Sequence, residues 1–181
     1  MGKRDWLDAG LAVLAEDGAR ALTVERLCAD LGLTKGSFYH HFRGMAGYQA
    51  DLLDHFETEY TGRYITETER HDAPAADKLA RLADLVLAAQ DADNAVEIAL
   101  RAWAMQDPQV YRVQQRVDRR RVEYLESLLG DIAADGSEIR PLARLLYLAL
   151  VGAQQVVPPL PAAEIADLYA LVLRLAIRKE N

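Results

Sequence analysis

Between Thr23 and Arg43 the chain reads TVERLCADLGLTKGSFYHHFR, and its apolar positions are spaced for two short helices. Val24, Leu27, Cys28 and Leu31 recur at i, i+3, i+4 and i+7, the stripe of one buried helix face. Thr23 precedes that stripe, where its hydroxyl can accept a free backbone N–H as an N-cap. Gly32 follows it, where a left-handed backbone ends a helix at little steric cost. Leu33 then returns to the core, and Thr34 is a second N-cap that opens a helix over about Lys35 to His41. Two helices joined by a tight glycine turn make a helix-turn-helix, whose second helix can enter a DNA major groove. Cys28, read as a small buried apolar residue four before the glycine, lets the helices approach. Phe38, six after it, locks the second helix down.

The same periodicity predicts helices along the rest of the chain. Lys3 to Asp17 carries Leu7, Leu11 and Leu14 on one face, flanked by Trp6, Gly10 and Val13, and should pack across the back of the helix-turn-helix. Tyr48 to about Glu69 repeats Leu52, Phe56, Tyr60 and Tyr64 every fourth residue, and 70–77, with Pro74, forms the next boundary. Further helices are expected from Lys78 to Ala89, from Asn94 to Met105, and from Asp107-Pro108 to about Ala134, the last opened by an N-cap and a first-turn proline. Gly136-Ser137 reads as a C-cap and an N-cap back to back. Ile139 to Val157 and Ile165 to Ile177 follow, each more apolar than one buried face requires and separated by Pro158-Pro159-Leu160-Pro161.

Composition agrees with an all-α class. Hydrophobic residues make up 51% of 181, Gly and Pro are sparse, and β-branched runs are missing. One cysteine excludes an intramolecular disulfide and suits a reducing cytoplasm. No apolar run approaches the roughly 18 residues of a membrane span, and the N-terminus does not read as a signal peptide. A soluble cytoplasmic protein without a membrane partner is therefore expected. The net charge of −7 argues at first against a polyanionic partner. Charges beyond roughly 8 Å are screened, however, and from Leu31 to Ala50 there is no Asp or Glu beside Lys35, His40, His41 and Arg43. A locally cationic face on an acidic body is compatible with DNA binding through one surface.

On the second helix, Gly36 and Ser37 let the backbone come close to a duplex, and the helix N-terminus favours phosphate. Lys35 can reach a phosphate or a guanine edge and Ser37 either base type, while Tyr39 and His40 can touch phosphate or a thymine methyl. An ordinary polar surface helix is the plainer reading, which the spacing of the whole element disfavours.

Residues from roughly Arg4 to Leu53 resemble the DNA-binding domain of the TetR family of bacterial transcriptional regulators. The resemblance is carried by Leu7-Asp8-Ala9, Glu16-Asp17-Gly18, Thr23-Val24, Leu31-Gly32-Leu33 and the run Thr34-Lys35-Gly36-Ser37-Phe38-Tyr39-His40-His41-Phe42-Arg43. It implies a homodimeric repressor on a palindromic operator, with Thr23, Thr34, Lys35, Gly36, Ser37, Tyr39, His40 and His41 lining the DNA. The implied division is a DNA-binding domain over 1–47 and a helical effector-binding and dimerisation domain over 48–181. One departure stands out: Met45 and Ala46 occupy the positions of a common Lys-Glu pair whose Lys contacts phosphate. Arg43 is a candidate to compensate. The resemblance also implies that the last two helices form the dimer interface, for which Leu145, Leu148, Gly152, Ala153, Leu168, Val172 and Leu175 are the candidates.

For a small-molecule effector the candidate contacts are Tyr60, Tyr64, Trp103, Gln106 and Tyr147, polar or aromatic residues in an apolar body that read equally as core. Enzymatic alternatives find little support. His40, His41, His55 and His71 lack metal spacing with Cys28, and there is no phosphate loop or nucleophile elbow. The expectation is thus a regulator rather than an enzyme, with no metal and no cofactor. The rival reading is a helical ligand-binding or protein-interaction protein whose DNA-binding domain is weak or vestigial, motivated by Met45-Ala46 and the acidic balance.

Overall fold

The computed structural model describes residues 2–132 and 138–177, with residues 90–93 and 175–177 described as backbone only. Its helices are α1 (Lys3–Asp17), α2 (Val24–Leu31), α3 (Lys35–His41), α4 (Gly44–Glu57), α5 (Arg63–Glu69), α6 (Ala75–Ala88), α7 (Gln90–Ala104), α8 (Pro108–Gly130), α9 (Ile139–Gln155) and α10 (Ala162–Ile177). A π turn, Thr58–Gly62, joins α4 to α5. Counting α4, the π turn and α5 as one helical stretch of the chain, the described residues form nine helices, and their fold is all-α, as the composition leads one to expect.

Helix boundaries follow the caps where caps exist. Thr23 Oγ1 accepts the Arg26 N–H at 3.2 Å, and Thr34 Oγ1 accepts the Ser37 N–H at 3.3 Å. Gly32 takes the left-handed φ of 64° that ends α2. Asp107 Oδ1 accepts the N–H groups of Gln109 and Val110 at the start of α8. Two helices begin before the apolar stripe that marks them in the sequence. Helix α6 begins at Ala75 rather than Lys78, and α7 at Gln90 rather than Asn94. The expected caps Gly136 and Ser137, and the residues that would extend α8 to Ala134, lie outside the described residues.

The expectation of one continuous helix from Tyr48 to Glu69 needs correction. The helix starts at Gly44, whose φ of 84° turns the chain out of the extended Phe42. After Phe56 the π turn inserts one extra residue per turn and rotates the buried face. The next buried side chains are Thr61 and Thr68, not Tyr60 and Tyr64. Tyr60 instead stacks on Phe56 at 4.9 Å between ring centroids, and Thr68 donates its hydroxyl to the Tyr64 carbonyl at 2.8 Å. Cys28 is likewise half-buried rather than buried.

The chain divides into two compact units, Met1–Gly62 with Ala92–Arg116, and Arg63–Asp91 with Val117–Asn181. In the first, α1 packs on α2 and α4, and α2 on α3. Its core holds Trp6, Leu11, Leu14, Leu27, Phe38, Tyr48, Leu52 and Phe56. The Arg116 guanidinium also binds the Glu57 carboxylate, at 2.6 Å. In the second unit, Leu129, Ala143 and Leu146 form a buried cluster onto which Leu79, Leu125, Tyr169 and Val172 pack.

Candidate nucleic-acid interface

The second helix of the helix-turn-helix is held from behind by aromatic rings. Phe38 is fully buried and meets Trp6 edge-on at 5.5 Å, Phe42 at 5.1 Å and Tyr48 at 5.4 Å. Such offset and edge-on pairs add to the area they bury. With Phe38 and Phe42 inward, the seven-residue helix α3 turns Lys35, Gly36, Tyr39 and His40 to solvent, with Ser37 and His41 half-buried. Tyr39 is 59% exposed although its ring lies against Phe38. Thr23 and Thr34 are exposed at the two N-caps, and Arg43 is exposed before α4.

Gly36 separates two reasons for having a glycine. A Cβ built there would meet only Thr34 Oγ1, at 3.6 Å, an ordinary contact. Nothing inside the protein requires the missing side chain. What its absence provides is a flat backbone on the solvent side, where Lys35 and Ser37 flank it.

The charge pattern of this face differs from the sequence reading. Glu25, on the first turn of α2, forms an ion pair with Lys35 across the two helices. The contact holds the Glu25 carboxyl below its ordinary range and the Lys35 ammonium above its own, chiefly through their hydrogen bond. Nearby, Arg26 binds Asp30 at 2.8 Å, Asp17 at 2.6 Å and Glu16 at 3.4 Å. Among the described residues, Arg43 makes no such pair. Sequence windows missed Glu25 because it lies ten residues before Lys35 and is brought to it only by the turn.

Of the candidate effector contacts, Tyr60, Trp103 and Gln106 belong to the first unit and Tyr64 and Tyr147 to the second. Gln106 lines an open depression of about 450 Å³ with Ala104, Met105, Asp107, Pro108, Tyr111 and Arg112. Trp103 is buried nearby in sequence but does not line it, and Tyr60 lies on Phe56. In the second unit, Tyr64 receives the Arg63 guanidinium over its ring at 5.0 Å. Tyr147 is buried there, donating its hydroxyl to Asp118 at 2.7 Å.

The candidate interface residues of the last two helices fall into two groups. Leu145 and Leu148 are 52% and 63% exposed, Leu168 is exposed as well, and Gly152 has open space around it. Ala153 is buried in its own chain, and Val172 packs on the cluster of the second unit. The Leu175 side chain lies outside the described residues. Leu171, on the same helix α10, is 44% exposed.

Comparison with known proteins bears on the first of these surfaces. Residues 7–47 match the family described as bacterial regulatory proteins, tetR family. Comparison with curated proteins gives no match. Among solved structures, a transcriptional regulator from Rhodococcus sp. Rha1 is similar over 99% of this chain and 97% of its own, with TM-score 0.77 and 18% identity. One from Pseudomonas aeruginosa PAO1 is similar over 95% and 88%, with TM-score 0.76 and 17% identity. A TetR-family transcriptional regulator from Rhodococcus sp. is similar over 96% and 97%, with TM-score 0.74 and 16% identity. Residues 7–47, the stretch anchored by Phe38 and opened by its two threonine caps, thus match the tetR family of bacterial regulatory proteins, on a chain whose fold is similar to that of solved transcriptional regulators.

Proposed function

We propose that the protein is a cytoplasmic transcriptional repressor, not an enzyme, that binds a palindromic operator as a homodimer and is released by a small-molecule effector. The observation that carries the DNA reading is the outward face of α3, with Lys35, Gly36, Tyr39 and His40 exposed over an aromatic core. In this reading Lys35 and Ser37 reach base edges, and Thr23, Thr34, Tyr39, His41 and Arg43 hold the phosphate backbone. Residues 1–47 form the DNA-binding domain and 48–181 the effector-binding and dimerisation domain. The exposed leucines of α9 and α10, Leu145, Leu148 and Leu168, support a second copy as partner, since terminal helices apolar on two faces usually pack on another chain. Two recognition helices set roughly 34–36 Å apart would read successive turns of one DNA face. Release requires only that the effector bind two conformations unequally.

The test is selection of bound duplexes from a random pool at low and near-physiological salt. An enriched palindrome that survives the higher salt is the expected result. Weak binding without enrichment would favour the rival reading, a ligand-binding or interaction protein with a vestigial DNA-binding domain, for which Met45-Ala46 and the paired Lys35 both speak.

A further inference from the structure

Sequence-independent DNA binding is an electrostatic process in which cations on the protein displace counterions from phosphate. A cation already paired with a carboxylate contributes less to it, because the carboxylate travels with it and is repelled by the same phosphates. Lys35 is in that position, since it is paired with Glu25 at the start of the preceding helix. Both residues are exposed, on elements capped by Thr23 and Thr34, so the carboxylate stands on the face that a duplex would meet. The one cation of α2, Arg26, turns to Asp17 and Asp30 instead and does not compete for Glu25.

Resting on the DNA-binding reading above, we infer that Glu25 is a specificity-determining residue that withholds Lys35 from the phosphate backbone. On a random duplex the pair stays closed and adds almost nothing to affinity. At a site where a base edge offers Lys35 two acceptors, such as guanine O6 and N7, the lysine can leave the carboxylate for a directed contact. In the first helix of a helix-turn-helix, which crosses the backbone, Glu25 then opposes any register that lacks that contact. Glu25 thereby widens the gap between specific and non-specific binding.

The test is titration of a labelled random-sequence duplex with the full chain over a range of salt, using the wild type, Glu25→Gln, Lys35→Ala and the double variant. Glu25→Gln should bind the random duplex about fivefold more tightly per chain engaged, and its log–log salt slope should steepen by about one per chain. In the Lys35→Ala background that gain should largely disappear. An equal gain in both backgrounds would show Glu25 acting as a plain negative charge and would overturn the inference. So would wild-type binding that Glu25→Gln leaves unchanged, although the DNA-binding reading would then stand. If no variant binds duplex even at low salt, both readings fall together. Matching thermal unfolding of the wild type and Glu25→Gln would assign the difference to the DNA face rather than to the fold.

Discussion

The Tyr48 hydroxyl donates a buried hydrogen bond of 2.8 Å to the Trp6 carbonyl, fastening α4 to α1 across the floor of the helix-turn-helix. Burial pushes the phenol far above its ordinary range, so it remains a donor at every physiological pH. The same hydroxyl occupies the space where residue 10 would carry a side chain. A Cβ at Gly10 would lie 1.8 Å from Tyr48 Oη and 3.1 Å from Leu52 Cδ1. The large residue on α4 and the missing one on α1 are therefore two halves of one contact.

Gly10→Ala should accordingly destabilise the protein by about 2–4 kcal/mol, from overpacking together with loss of a buried hydrogen bond. Tyr48→Phe alone should cost about 1 kcal/mol. Combined, the two should cost less than their sum, because removing the hydroxyl relieves the clash. Urea denaturation of the three variants measures this, and simple additivity would mean that residue 10 is accommodated by backbone movement instead.

Gly32 makes a different demand. Its φ of 64° is left-handed, yet a Cβ there would meet nothing within 4 Å. Gly32→Ala should therefore cost only the conformational strain, about 1–2 kcal/mol. Gly32→Asn should cost less, since Asn tolerates the left-handed region. If Ala and Asn prove equally harmful, the turn is limited by space rather than by backbone angle.

In the second unit, Glu69 ties three helices together, accepting from Lys78 at 2.6 Å and from the Tyr124 hydroxyl at 2.7 Å. The Lys78 contact first, then Tyr124, holds its carboxyl below the ordinary 4.5. The unfolded chain thus binds the proton at a higher pH than the folded chain does. The stabilisation is present above about 4.5 and is lost as the pH falls through the lowered folded value. Wild type should exceed Glu69→Gln in stability at neutral pH, with the difference shrinking toward acid. Denaturant midpoints across that range check it, and a gap that persists at the acid end would assign the effect to packing.

What was legible in the sequence was what acts locally. Thr23, Gly32 and Thr34 fix α2 and α3 through their own backbone, and the 3.6-residue period of Leu7, Leu11 and Leu14 marks α1 directly. The match of Tyr48 to Gly10 spans most of the domain and leaves no local trace. The π turn at Thr58–Gly62 was hidden for another reason, since aromatic residues at Tyr60 and Tyr64 continued a helical period that the backbone abandons. On α3, the exposure of Lys35, Gly36, Tyr39 and His40 could be placed from the caps and from Phe38. Glu25 could not, because ion pairs between helices depend on the turn that brings them together.

Met45 supplies the sharpest test of how this face meets phosphate. It is the second residue of α4, half-buried, beside the exposed Arg43 and Ala46. No acidic residue lies in that first turn, so a cation added there would meet no carboxylate from its own turn of helix. Met45→Lys should raise affinity for any duplex and steepen the log–log salt slope of a dimer by about 2, one phosphate contact per chain. Its cost to the fold should be about 0.5 kcal/mol, since a cation at a helix N-terminus opposes the dipole. Salt titrations of both proteins on a random duplex measure the slope, and thermal unfolding measures the cost. A raised affinity with an unchanged slope would mean that the gain arises elsewhere than at phosphate. An unchanged slope and affinity would mean that the start of α4 stands away from the backbone, leaving the phosphate contacts proposed above to Thr23, Tyr39, His41 and Arg43.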